Sequence, residues 1–233
     1  MRQRFALLLL TAAGTAGANE ITLLFETGVV APSFRGDANT TYLGWDTFDS
    51  DDEQRIDPDD GPFIFEVIND TTPDIGADGG SFVTANDEDH KSGSGNYYSG
   101  FGAVSEAVSF DTAGVNGSGF TTVIVQAQTL FGQFGAPIAF TPINGFAPSL
   151  VVSGTNATGK GQLFVKYELP GTADPQTFSM ISGPFSFNSF DKFVIDTAWS
   201  PIGFAPATDS EIPEPAAALL ALTALGASLA RRR

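Results

Sequence analysis

Three segments alternate apolar and polar residues with a period of two, and they restrict what this chain can fold into. Thr121–Thr129 (TTVIVQAQT) puts Val123, Val125 and Ala127 on one face and Gln126 and Gln128 on the other. Leu163–Leu169 (LFVKYEL) turns Leu163, Val165, Tyr167 and Leu169 one way and Lys166 and Glu168 the other. Phe193–Trp199 (FVIDTAW) sets Phe193, Ile195, Thr197 and Trp199 against Val194, Asp196 and Ala198. Successive side chains that point to opposite sides, with one side apolar, are the mark of a half-buried β-strand. Between residues 19 and 209 no stretch sustains the period of an amphipathic helix.

Weaker strand patterns fall at Ile21–Phe25, Tyr42–Phe48, Phe63–Ile68, Ser81–Thr84, Tyr97–Phe101, Val104–Phe110, Ile138–Phe140, Leu150–Val152 and Phe178–Ile181. Turn-forming clusters separate them, among them Asp57-Pro58-Asp59-Asp60-Gly61, Asn144-Gly145, Asn156 to Gly161 and Pro170 to Pro175. About a dozen short strands of this kind predict an all-β fold, an antiparallel β-sandwich of two packed sheets. A jelly-roll-like arrangement is the first expectation and an immunoglobulin-like sandwich the second. The 21 phenylalanines suit the space between two such sheets. No internal repeat appears that would point to a propeller or a β-helix.

The two ends read as addresses. Arg2 and Arg4 precede the apolar run Phe5–Leu10, and Ala16-Gly17-Ala18 fits a small-x-small cleavage site. That is the layout of a secretory signal peptide, a helix removed from the mature chain, over residues 1–18. At the other end Ile212-Pro213-Glu214-Pro215 is followed by an alanine- and leucine-rich run, Ala216–Ala230, and then by Arg231, Arg232 and Arg233. Pro213 and Pro215 hold the approach extended, and Pro215 suits the first position of a helix. The run is a strong helix former, and the three arginines act as a membrane stop by the positive-inside rule. Its 15 residues span roughly 22 Å, short of the ~30 Å hydrocarbon core, a gap that arginine snorkelling and local thinning reduce.

This tripartite end, about 22 residues from Ile212 to Arg233, resembles the PEP-CTERM sorting signal. The resemblance implies that Pro213, Glu214 and Pro215 are the sorting motif and that Ala216–Ala230 is a transmembrane helix. It implies an exosortase-type transpeptidase as partner and the inner membrane as a station before processing. It further implies a final place at the cell surface or in an exopolysaccharide or biofilm matrix. It covers only the tail; the middle of the chain matches no family motif. The expected organisation is a signal peptide at 1–18, a β-sandwich domain at 19–209 and a sorting and anchor segment at 210–233.

Charge narrows the function of the middle segment. Residues 19–209 hold 25 acids against six bases (Arg35, Arg55, Lys91, Lys160, Lys166 and Lys192), a net charge of −19. Such a surface repels the phosphate backbone, so no nucleic acid is expected as a partner. With no cysteine there is no disulfide, thiol catalysis or cysteine-ligated metal. A Ser-His-Asp triad would have to use His90, the sole histidine, and no serine sits in a G-x-S-x-G setting. With so many acids some carboxylate pair fits a glycosidase spacing by chance, so the chain is not read as an enzyme.

Two binding chemistries remain. Asp46 to Asp60 contains Asp49, Asp51, Glu53, Asp57 and Asp59 in alternation, with Gly61 after them. Calcium takes six to eight oxygens from flexible acidic loops, so Asp49, Asp51, Asp57 and Asp59 are the candidate Ca2+ ligands, against the plainer reading of a solvated acidic loop. Asp74–Gly80 and Asn86–His90 are smaller acidic loops that can meet the first at one end of a sandwich. The alternative role is that of a carbohydrate-binding module for extracellular polysaccharide. Trp45, Tyr97 and Tyr98 would then stack on sugar rings, while Trp199, inside a strong strand pattern, reads as core. The N-x-S/T triplets at Asn39, Asn69, Asn116 and Asn156 mark expected surface loops. Taken together, the sequence leads to an exported surface or matrix protein with a structural or adhesive role.

Overall fold

The computed structural model describes residues 29–48, 69–76, 79–84, 90–91, 96–98, 105–114, 117–129, 138–156, 158–171, 176–182 and 189–207. The chain divides into two units. Thr22–Ala205 contains every described strand. Of the other, Met1–Ile21 with Pro206–Arg233, only Pro206 and Ala207 are described. The signal peptide, the sorting motif Pro213-Glu214-Pro215, the apolar run and Arg231–Arg233 therefore lie outside the described residues, as do the strands expected at Ile21–Phe25 and Phe63–Ile68. Among the described residues no helix is long and apolar enough to cross a membrane.

All regular structure among the described residues is β. In chain order the strands are β1 (Thr40–Trp45), β2 (Asn69–Asp70), β3 (Ile75–Gly76), β4 (Gly80–Thr84), β5 (His90–Lys91), β6 (Tyr97–Tyr98) and β7 (Ser105–Phe110). Then come β8 (Phe120–Thr129), β9 (Ile138–Phe140), β10 (Leu150–Thr155), β11 (Gly161–Pro170), β12 (Gln176–Ser182) and β13 (Ser189–Ser200). They form two antiparallel sheets. The larger has the order β10-β11-β8-β13-β1-β3, with β6 also on β13 and β5 on β6; the smaller is β2-β4-β7-β12-β9. From β7 onward the chain passes repeatedly between the two sheets, and the last strand, β13, lies between β8 and β1.

The alternation read from the sequence decides which faces meet. Val123, Val125 and Ala127 of β8, Leu163, Val165, Tyr167 and Leu169 of β11, and Phe193 and Ile195 of β13 all join one core with Phe82 of β4 and Val108 and Phe110 of β7. Phe82 joins the two sheets. Its ring centroid lies 5.4 Å from Phe193, 5.8 Å from Trp45, 5.1 Å from Phe48 and 5.7 Å from Tyr97, mostly at tilted or edge-on angles. Such pairs add about 0.5–1.5 kcal/mol each beyond the area they bury. Tyr167 adds a polar bond at the margin of this core, its Oη donating to the Thr141 carbonyl at 3.0 Å. Trp199, expected in the core, is half-buried at the end of β13 and donates from Nε1 to the Ser118 carbonyl at 3.0 Å.

The opposite face of the larger sheet departs from expectation. Gln126, Lys166 and Asp196, read as solvent-facing, are buried, together with Thr122, Ile124, Phe164, Val194 and Ala198 on the same side. Two straps of the chain bond to this face. Before β1, Val30 N donates to Gln126 Oε1 at 3.0 Å and Gln126 Nε2 donates back to the Val30 carbonyl at 2.7 Å. After β13, Ala205 N donates to Thr122 Oγ1 at 2.8 Å. Pro32 and Phe34 are buried in the first strap. A period of two identifies polar residues but not their partners; here those partners include groups of the two straps.

Candidate functional site

The described ends of the three acidic loops gather at one end of the larger sheet, where β1 finishes and β13 begins. Trp45 is in register with Phe193, Phe190 with Tyr97, and Tyr97 with Lys91. The first loop leaves from Trp45, and β3, which follows Asp74, pairs beside β1 through Leu43↔Gly76 and Gly44↔Ile75. This approach requires glycine: Gly76 has φ +89°, and a Cβ there would lie 2.1 Å from the Tyr42 carbonyl oxygen. As a result Asp74 reaches the turn after β1. Its Oδ2 accepts from Thr47 N at 2.9 Å and from Asp46 N at 3.3 Å.

Several of the described charges at this end are engaged. Asp46 Oδ2 lies 3.7 Å from Lys192 Nζ, an exposed contact of small energetic weight. Beside it runs a polar row over the strand ends. Gln162 Nε2 donates to Gln128 Oε1 at 2.8 Å, Gln128 Nε2 donates to Asp191 Oδ2 at 2.7 Å, and Lys160 Nζ closes on the same Asp191 oxygen. Asn156 holds the adjoining turn, its Oδ1 accepting from Thr158 N, Thr158 Oγ1 and Lys160 N at 3.0, 2.7 and 2.9 Å. Expected to mark an open loop, Asn156 is instead buried. Among the described residues no group of three or more acids or histidines is placed to hold a metal ion. Asp49, Asp51, Asp57 and Asp59 lie outside the described residues, as does most of Asn86–His90.

The aromatic candidates are placed differently from a sugar platform. Trp45 and Tyr97 are each 0% exposed. Trp45 packs on Phe82 and Phe193; Tyr97 stacks on Phe190 at 5.5 Å with an interplanar angle of 17°. Tyr97 Oη donates to Glu106 Oε1 at 2.9 Å, inside the core. A sugar ring stacks only on an open aromatic face, and neither ring presents one here. Tyr98 occupies β6 beside Tyr97, in register with Ser189 and His90.

One strong electrostatic pair escaped the sequence reading. Arg35 Nε and Nη2 donate to Asp196 Oδ1 and Oδ2 at 2.5 and 2.7 Å, a two-pronged contact in which the Asp196 side chain is fully buried. Burial raises the Asp196 carboxyl above its ordinary value, and the Arg35 hydrogen bonds and charge pull it back down. The guanidinium also sits 4.8 Å from the Tyr42 ring centroid. The only local trace is an aspartate inside an apolar alternation; its partner is 161 positions away. The pair locks the strap before β1 onto the sheet.

Among the described residues, fold and site together define an acidic, all-β unit of two antiparallel sheets, with the described ends of its acidic loops at one end of the larger sheet. No family model, curated protein or solved structure matches this chain.

Proposed function

We propose that this is an exported protein of the cell surface or extracellular, exopolysaccharide-associated matrix, sorted by an exosortase-type system and serving a structural or adhesive role. The observation that carries this reading is the order Pro213-Glu214-Pro215, Ala216–Ala230, Arg231–Arg233, in a chain that also opens with a signal-peptide pattern. A compact β domain with engaged polar groups supports it, since a matrix component needs a rigid body more than a cleft. The jelly-roll form of the sandwich is supported by the order β11-β8-β13-β1, with first and last long strands adjacent. Deleting Ile212–Arg233 is expected to move the protein out of the cell-surface fraction. Replacing Pro213, Glu214 and Pro215 together by alanine should leave a larger, unprocessed species. Unchanged distribution of the deletion variant overturns the sorting reading.

Within this proposal the acidic loops act as solvated surface that keeps like-charged polymers at a distance. Their described members support that role, since Asp46 faces Lys192 and Asp74 accepts from backbone amides. Thermal melts in calcium and in chelator are expected to differ by less than about 2 °C. A true site at a hundredfold excess over its Kd adds about 2.7 kcal/mol, or roughly 5–10 °C at this size. A rise of that order would make Asp49, Asp51, Asp57 and Asp59 a calcium site instead.

A further inference from the structure

The larger sheet ends in an edge unlike the others. Among the described residues β10 pairs only with β11, so its other side presents unpaired backbone. The remaining edge strands are short: β2, β3 and β5 have two residues each and β9 has three, against six in β10. Acids stand in or beside three of these, at Asp70, at Asp74 and Asp78, and at Asp87–Asp89. Short, charged edges are a standard guard against pairing with another chain. β10 (LVVSGT) has no such guard, and no charged residue occurs anywhere between Asp111 and Lys160.

The register adds a second observation. Val151 and Ser153 stand opposite Val165 and Leu163 of β11. Those two residues belong to the core, so Val151 and Ser153 lie on the core side of the sheet. Yet Val151 is 49% exposed, and Ser153 and Thr155 are exposed with it. The core face of the larger sheet thus reaches water at its last strand. Phe146, a few residues earlier, is a further large exposed hydrophobic at 41%.

We propose that β10 is a self-association edge, pairing antiparallel with β10 of a second copy about a two-fold axis to join two larger sheets into one. A second copy is the occupant the charges favour. Two chains of net charge −16 repel over most of their surface, and this neutral stretch is where approach costs least. Antiparallel pairing of one strand with itself satisfies backbone groups on both sides without needing a distinct partner sequence. It also places the exposed core-side residues of one copy next to those of the other. Six-residue pairing buries little area, so the dimer is a weak one, forming at high micromolar concentration.

The test is sedimentation of the full chain in a mild detergent from about 1 to 300 µM. The unaltered chain should pass from monomer to dimer, and Val151→Lys or Ser153→Lys should weaken the dimer at least about tenfold. Ile202→Lys, which places the same charge at a 91% exposed residue away from β10 in sequence, should leave it unchanged. Because the chain has no cysteine, Ser153→Cys can carry the sole spin label, and its mate in the dimer should lie within about 25 Å. A chain that stays monomeric throughout, or a dimer that both lysine variants leave intact, overturns the proposal. So does a monomer whose β10 instead takes up an unrelated extended peptide. The readout is mass in solution, so this proposal can fail while the sorting reading stands, and the reverse.

Discussion

Replacing Arg35 by methionine should destabilise the protein by about 3–5 kcal/mol, measured by chemical denaturation near neutral pH. The substitution keeps an apolar stem and removes only the charge, leaving the Asp196 carboxylate buried without its partner. The two pulls on Asp196 then no longer oppose each other: burial, which raises its pKa, remains, and the Arg35 contribution, which lowers it, is gone. A carboxyl whose folded pKa lies above its unfolded value binds its proton more tightly when folded. Stability therefore falls as pH rises through the window from the ordinary value of 3.8 to the raised folded value, and acidification recovers it. The Arg35→Met variant should accordingly regain part of its lost stability toward mildly acidic pH, more than the parent does. Adding Asp196→Asn to Arg35→Met should restore most of the loss at neutral pH, because the unpaired charge is then absent. A single variant as stable as the parent would show that the strap before β1 is not held by this pair.

Trp45→Ala should cost about 3–5 kcal/mol, on the order of 10 °C in melting temperature for a domain this size. The ring is fully buried between Phe82 and Phe193, so its loss opens a cavity where the two sheets meet. Trp45→Phe should cost far less. The Trp45 Nε1–H is buried with no acceptor, so its removal relieves an unmet donor while a ring stays in place. The pair of variants separates packing from recognition. A ligand-binding tryptophan would lose glycan affinity with little change in melting; a core tryptophan loses stability first.

Much of the fold was legible because strand formation is a local matter. The expected segments at 121–129, 163–169 and 193–199 fall within β8, β11 and β13, and Ile138–Phe140 matches β9 in full. The two-residue strands β2, β3 and β5 carry no readable period, and their pairing comes from their neighbours. Of the candidate site residues, Trp45 and Tyr97 were singled out for their chemistry. Their sequence surroundings, rich in Asp, Ser and Gly, gave no sign that Phe82 would close over both.

By itself the sequence determined the strand character of the chain, the inward faces of its three long strands, its strongly acidic surface and the two address-like ends. Each of these is written in neighbouring residues: a period, a composition, a short ordered motif. Only the tertiary structure decided that the outward face of the larger sheet is buried, that Asp196 is paired, and that β10 has a strand neighbour on one side alone among the described residues. Those outcomes depend on contacts between residues far apart in the chain, such as Arg35 and Asp196, or on which strands pair. Chain closure over such separations leaves no local pattern to read.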